Sequence, residues 1–599
     1  MDWELKGQGA ANVVFGYAGD DPSLRGHVLR VRKATAHVAS PIDQLVWAGV
    51  VEANDGCAVS RELSYIQGVM APLMGSKYVF PGSPIPLPES LLPLLAPAGA
   101  DHAHGGKDNG AEVHSTAAPP AGEAFPALLM PDHTTLKAGK APAGFVGVGP
   151  TVCFEMKPKW GLTPGQGVGE LPPLPPLPPG GAEGAAAEEE RAPKAPAPGS
   201  PLLRYPRFML HMLAKHVEKG SPLSYYNPLD LFSGERGRTR AALRALLQAP
   251  SNNLVVFVDG APTFGVNKKQ AAAGAQKRKA QEQLVKAACE AAEAAAAADD
   301  ALAEAAAGGA ELAANGLPLP EVATEAVAAP GDESKKGSGS EAEAEASRAA
   351  LEKLTEVLKP LVAGAAGEGQ AAAEVEGPGP AVGPVLEAVV SLVAEALLRE
   401  GVLSQVVAVQ GMDPVGPEGA VALYQRLQRG VQSGELPLPH PGAPTPTPGP
   451  AWQPLLGALR SYLQSATAKD CGVMVTMQRA ERAPGASEGT EEQAGGDAAQ
   501  EAEAQAGRPW IGLLRMPGDG SGSGTGAEEG PCWLYKVALV DLDVKAAAKV
   551  GRHAELAREL EAVALAHTGL LERYAAEAGW EAPPVEVEVA EGVAAAGDE

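Results

Sequence analysis

A carboxylate and two lysines lie within five residues of this chain, Glu155-Met156-Lys157-Pro158-Lys159. Near the N-terminus, Gly7-Gln8-Gly9-Ala10-Ala11-Asn12 forms a glycine-rich turn whose backbone N–H groups can approach an anion closely. Fixed cations beside an open turn are what transfer of a phosphoryl group from a nucleotide requires. If the strand around Glu155 continues, Glu155, Lys157 and Lys159 share one face of it, with proline marking the strand's end. A solvated strand edge blunted by lysine is the plainer alternative.

A second group lies between residues 204 and 244. Arg204, Arg207, Lys215, Lys219, Arg236, Arg238, Arg240 and Arg244 occur there with His211 and His216, against three acids. Arg207, His211 and Lys215 fall at i, i+4 and i+8, one face of a single helix. Solvated helix faces normally mix charge signs, so this face is read as an anion site. Two carboxylates complete the set, each beside a β run: Asp470 before Val473–Met477 and Asp541 after Leu534–Val540. One suits orientation of an attacking hydroxyl and the other a Mg²⁺ ion.

The elements that position these groups are separated by low-complexity sequence. Among 599 residues only 4% are aromatic, while 72 glycines and 55 prolines exceed a fifth of the chain. The pattern is one folded domain carrying insertions, and the net charge of −25 belongs largely to acidic runs within them. Residues 3–33 read as three strands with Arg30 on the third, and Arg61–Met74 as one amphipathic helix. The glycine turn runs into a strand, which is a kinase arrangement and not a dinucleotide fold. Helical periodicity recurs at Val385–Met412, Ala420–Leu427 and from Ala546 to about Ala576. Residues 267 to about 383, with almost no aromatic or β-branched side chains, read as an extended helix plus material that adds nothing to a core. Five scattered cysteines without CxxC spacing fit a reducing compartment, and no signal or membrane-spanning pattern is present, so a cytoplasmic or nuclear location is expected.

Several blocks, taken in order, resemble the inositol-pentakisphosphate 2-kinase family in its plant and green-algal form. They include Leu5–Tyr17, Glu62–Val79, Asp132-His133, Glu155–Lys159, Arg207-Phe208-x-x-His211, Asn227-Pro228-Leu229-Asp230-Leu231-Phe232, Asn252-Asn253, Ala466–Cys471 and Tyr535–Asp541. The resemblance implies an α+β, two-lobed fold distantly similar to protein kinases. Its N-lobe is residues 1–133 with a loop at 95–125, and its C-lobe begins at 145–262 with a linker at 165–200. A low-complexity insertion at 263–384 follows. The C-lobe resumes at 385–582 with linkers at 436–452, 483–509 and 517–530, and 583–599 form an acidic tail.

The implied reaction is ATP-dependent phosphorylation of inositol 1,3,4,5,6-pentakisphosphate at the 2-hydroxyl, giving phytic acid. Gly7, Gly9, Ala11, Asn12 and Arg30 would hold the ATP phosphates. Asp132, His133 and Glu155 would line the nucleotide pocket, and Asp541 would hold Mg²⁺. Lys157, Lys159, Arg207, His211, Lys215, Asn252 and Lys545 would clamp the substrate, with Asp470 and Lys157 catalytic. A monomer acting on a small molecule is implied, with no nucleic acid, membrane or zinc site.

There are departures. No arginine lies between Arg61 and Arg191, and Val255 and Lys549 stand where the family places arginines. They leave room for a second reading, an inositol polyphosphate-binding protein without efficient catalysis. An Ala/Pro-rich interaction protein is disfavoured, because the matching blocks lie in non-repetitive sequence.

Overall fold

Eleven strands are named here: β1 Trp3–Gln8, β2 Asn12–Tyr17, β3 His27–Arg32, β4 Ser83–Pro86, β5 Pro126–Pro131, β6 Phe145–Met156, β7 Leu254–Val258, β8 Ala261–Phe264, β9 Gly472–Arg482, β10 Gly512–Arg515 and β11 Cys532–Val540. This computed structural model describes residues 2–8, 12–32, 40–51, 58–86, 126–139, 141–166, 196–197, 199–265, 339–363, 382–438, 448–484, 509–516 and 531–582. Gly9, Ala11, the loop at 95–125, most of the linkers, the acidic tail and most of the expected insertion lie outside the described residues. The chain divides into two compact units, residues 1–266 with 351–599, and residues 267–350. Of the second unit, the described part is the first half of the helix Gly339–Val362, exposed over Ser347–Ala350.

The first unit is a mixture of helices and two antiparallel sheets, an α+β architecture. Strands β1, β2, β3, β5 and β4 are neighbours in that order in one sheet. The other sheet runs β10, β11, β9, β6, β7 and β8. Trp3, Phe15, Leu29, Val31 and Ala127 form a small core on the first sheet. The main core lies against the second, where Val152, Phe154, Met156, Val473, Val475, Val537 and Leu539 meet helical leucines. Strand β11 is almost continuously apolar and buried, which fits its place between two neighbours. Val79 forms an isolated bridge to Leu539, and Leu539 N–H donates to Tyr78 O at 2.8 Å.

The helix Arg207–Lys219 buries Phe208, Met209, Leu210, Met212 and Leu213 and ends at Gly220 in the left-handed conformation (φ 65°). Burial of that apolar stripe leaves Arg207, His211 and Lys215 on the remaining face. Asn227 caps the helix Pro228–Leu231 by accepting the Leu229 N–H at 3.1 Å, the role asparagine before proline suits.

Three readings need correction. Arg61–Met74 is not one α-helix: Ala58–Tyr65 passes into a π-helical turn, Ile66–Met70, and then Ala71–Met74. The stretch from Ala546 to about Ala576 is not one helix either: a 3₁₀ turn, Ala547–Lys549, leads into Val550–Ala566, and Thr568–Glu577 follows after His567. The periodicity over Val385–Met412 is realised as Pro384–Glu400 and Val402–Gln410, separated by Gly401 at φ 65°. The expected insertion does contribute to the core, since Leu354, Leu358 and Leu361 are at most 1% exposed and Trp533 Nε1 donates to Leu361 O at 2.8 Å. Alanine-rich surroundings hid that leucine stripe. Among the described residues no helix is long and apolar enough to cross a membrane.

Candidate active site

A bulge between Leu5 and Gly7 breaks the register of β1 at Lys6. The Lys6 ammonium donates to the Asp132 carboxylate and, at 2.6 Å, to Thr134 Oγ1. Burial alone would raise the pKa of Asp132, but Lys6 and the Thr134 donors outweigh it and hold the carboxyl below its ordinary value. These residues belong to a cleft of about 260 Å³ whose apolar lining includes Val14, Val28, Ile66, Val79, Met130 and Leu539. Gly7, Arg30, His133, Glu155 and Asp541 face the same cleft.

The segment 132–135 is anchored from beneath. Thr476 of β9 donates to the His133 carbonyl, and Lys536 of β11, 1% exposed, donates to Thr135 O at 2.9 Å. The His133 ring lies 5.2 Å from Phe80, and burial, with Lys536 nearby, keeps it neutral by lowering its pKa well below the usual value. Its Nδ1 is buried without a hydrogen-bond partner. A Cβ placed on Gly7 would meet nothing within 4 Å. An apolar slot with an open glycine wall and charged groups at its edge fits a small polar molecule that carries an apolar face.

Arg30 lines the cleft, but its guanidinium donates to both Glu62 and Asp543. Asn12 Nδ2 donates to Asp543 Oδ2 at 3.4 Å, and Arg32 to Glu62 at 2.7 Å. Arg30 and Asn12 therefore tie β2 and β3 to the segment after β11. The Glu62 and Asp543 carboxylates offset the positive charge that Arg30 brings to a phosphate.

Glu155 lies on β6 opposite Val255 of β7 and Met474 of β9. Burial between these apolar neighbours raises its pKa to about 7, and Asp541 adds to the rise while Lys157 opposes it. Asp541 follows β11 with φ 60°, a left-handed conformation rare outside glycine, and pairs with Lys157 at 3.1 Å. A partly buried carboxylate beside an exposed one at the cleft fits a divalent cation. Mg²⁺ needs only one or two of them, because phosphates and water supply its remaining ligands.

Beyond Met156 the strand ends, so Lys157 and Lys159 do not reach one face by alternation. The loop is held group by group instead. Lys157 N–H donates to Asn253 O at 2.8 Å, Tyr226 OH to Pro158 O at 2.7 Å, and Gln410 Nε2 to Lys159 O at 2.8 Å. Lys159 takes φ 63°. The cations nevertheless converge. Burial first, then Arg207, Lys215 and Lys159, lower the His211 pKa to about 3. Burial lowers that of Lys159 too, with Lys157 and Lys215 adding to it against Asp470. Asp470 ends the helix Gln453–Asp470 and accepts from Lys545 at 2.8 Å. Burial pushes its pKa up, but Lys545, Lys159 and Lys157 more than offset this and hold it below the ordinary value.

Asn252 is exposed at φ 63° in the turn whose Asn253 carbonyl receives Lys157 N–H. Spacing alone does not reveal Trp160, whose ring lies 4.8 Å from the Arg207 guanidinium and 4.3 Å from the Lys469 ammonium. His553 is a further member. Tyr462 OH lies 3.0 Å from its Nδ1, and burial, Lys545, Arg207, Lys549 and Lys469 lower its pKa to about 4. The i, i+4 spacing of Lys549 and His553 was the available signal. So many mutually repelling cations around two deprotonated histidines form a site suited to a polyanion.

Comparison with known proteins points the same way. A family model described as inositol-pentakisphosphate 2-kinase matches residues 6–559. Inositol-pentakisphosphate 2-kinase IPK1 of Oryza sativa subsp. indica is 25% identical over 277 residues, covering 44% of this chain and 53% of the relative. The inositol-pentakisphosphate 2-kinase of Arabidopsis thaliana is 26% identical over 282 residues, with the same coverage. That of Danio rerio is 25% identical over 266 residues, 44% of each. The chain spans about half the length of the plant relatives it matches.

Proposed function

The chain belongs to the inositol-pentakisphosphate 2-kinase family, and on that premise we propose that it phosphorylates inositol 1,3,4,5,6-pentakisphosphate at the 2-hydroxyl with ATP, forming inositol hexakisphosphate. We read the two sheets and their helices as the two lobes of a kinase-like fold. The single observation that carries the reading is Asp470, hydrogen-bonded to Lys545 and in the field of Lys157 and Lys159, the latter in turn acting on His211.

In this reading the cleft beside His133 takes the nucleotide base, and Glu155 with Asp541 holds Mg²⁺. The bound Mg-nucleotide supplies the electrophilic phosphoryl group. Asp470 orients the acceptor hydroxyl and receives its proton, a task geometry sets more than basicity, since its pKa is held low. Lys157 faces the Asp541 carboxylate on one side and the field of Asp470 on the other, so it stands where nucleotide and acceptor meet. Lys159, Arg207, His211, Lys215, Lys545 and Asn252 bind and orient the remaining phosphates. A ligand with five phosphates contributes little apolar area, so its affinity rests on charge-assisted contacts and falls with salt.

One observation favours a second reading, binding without efficient turnover. Val255, where the family places an arginine, lies directly across the ladder from Glu155 and leaves that position without a bidentate phosphate donor. The test is a set of calorimetric isotherms for pentakisphosphate at low and moderate salt. Each cation contributes about 1.5–3 kcal/mol when partly desolvated, so Lys157→Ala and Lys159→Ala should each weaken binding about tenfold or more. Unchanged affinity in both, with no salt dependence in the parent, would overturn the assignment of this face.

A further inference from the structure

Gln410 ends the helix Val402–Gln410 and is 0% exposed. Its side-chain amide makes three hydrogen bonds to backbone remote in sequence. Oε1 accepts Gly161 N–H at 2.8 Å, while Nε2 donates to Lys159 O at 2.8 Å and to Ala468 O at 3.1 Å. Its own carbonyl accepts Ser465 Oγ–H at 2.5 Å. The Lys159–Gly161 bonds clasp the loop on both sides of Trp160. The Ala468 and Ser465 bonds grip the last turns of the helix that ends in Asp470.

Two facts give this clasp a consequence. Lys159 is held in a left-handed backbone conformation, which a non-glycine residue adopts only when its surroundings impose it. Ala468 O also belongs to the last turn of its helix, where carbonyls lack partners within the helix and require one from outside. Together with the Cys471 thiol, which donates to the same oxygen at 3.2 Å, the amide satisfies a helix end, and it alone of the two fixes the loop against it.

We propose that Gln410 is a positioning residue for phosphoryl transfer, setting the spacing between Lys159 and Asp470 on the acceptor side of the site. It touches neither substrate nor nucleotide and acts through the two backbones it joins. The proposal rests on the kinase reading for its functional consequence, but its structural claim stands apart from that reading.

Gln410→Met keeps length and removes all three polar contacts. Melting curves establish that the variant is folded. The expected result is a fall of about ten- to a hundredfold in kcat/KM for pentakisphosphate, with KM for ATP changed less than about twofold. Gln410→Glu supplies a second readout. Its carboxylate would face two carbonyl oxygens, whereas the protonated acid can donate to one. Its activity relative to the parent should therefore rise as pH falls, a profile that loss of bulk stability would not produce.

A crystal structure of Gln410→Met, or of Gln410→Glu if the first does not fold, reads the structural claim without substrate. Lys159 leaving the left-handed conformation, or shifting against Asp470, supports the proposal. An unchanged Lys159–Asp470 arrangement overturns it, as do acceptor kinetics within twofold of the parent or an equal loss for ATP and acceptor. Absence of turnover in the parent protein would instead refute the kinase reading and leave the crystallographic result to decide the role of Gln410.

Discussion

Replacing Glu155 by glutamine should stabilise the protein above neutral pH while impairing its use of Mg²⁺. Burial and Asp541 raise the Glu155 pKa from an ordinary 4.5 to about 7. At about 1.36 kcal/mol per unit, full ionisation costs the folded state about 3 kcal/mol. The sign follows from proton binding. Between pH 4.5 and 7 the folded protein keeps a proton that the unfolded chain has released, so stability falls as pH rises through that window and levels off above it. Glutamine imitates the protonated form at every pH. The advantage of Glu155→Gln should therefore grow by about 1.5 kcal/mol between pH 5.8 and 8.5, the lower limit being set by a pI of about 5.0. Thermal melts of both proteins at these two pH values read this as a melting-point gap that widens by a few degrees. Mg²⁺ with a non-hydrolysable nucleotide should raise the parent's melting temperature more than the variant's, because the ion offsets the carboxylate pair. A gap equal at both pH values, or a variant less stable at pH 8.5, would refute the burial argument.

Asp470→Asn should abolish turnover while nucleotide affinity stays near the parent's, and retention of parental kcat would remove Asp470 from the chemistry. Val255→Arg should tighten pentakisphosphate binding, because a guanidinium opposite Glu155 adds a bidentate donor; a calorimetric affinity at or below the parent's would contradict this. Deleting residues 270–338 should leave the melting temperature nearly unchanged, since closing a shorter loop costs little. Extending the deletion to 380 removes Leu354, Leu358 and Leu361, and since each buried leucine contributes about 2–5 kcal/mol relative to alanine, the protein should lose several degrees or fail to fold; equal melting points for the two deletions would show that those leucines carry no stability.

The parts of the site that depend on local pattern were legible in the sequence. The i, i+4, i+8 spacing of Arg207, His211 and Lys215 placed them on one helix face, and the apolar runs marked β9 and β11. What depends on long-range partners was not. Arg30 meets Glu62 and Asp543, 32 and 513 residues away, so its role as a brace between sheets left no local trace. Lys157 and Lys159 were found from a face argument that fails, because the strand stops at Met156 and side chains from three distant segments hold the loop. Lys6 went unnoticed because the bulge that redirects it is invisible in a six-residue strand. His553 and Trp160 differ in kind, since a lone aromatic or histidine becomes informative only when its cationic neighbours are known.

The central claim is that this site converts a pentakisphosphate into a hexakisphosphate. Purified full-length protein, Mg-ATP and inositol 1,3,4,5,6-pentakisphosphate should yield a product that anion-exchange chromatography resolves as inositol hexakisphosphate, with one ADP formed for each molecule made. The acquired phosphate should appear at the 2-position by ³¹P NMR. ADP release without hexakisphosphate, or a pentakisphosphate recovered unchanged while still binding in a salt-dependent manner, would contradict the claim and leave a binding protein in its place.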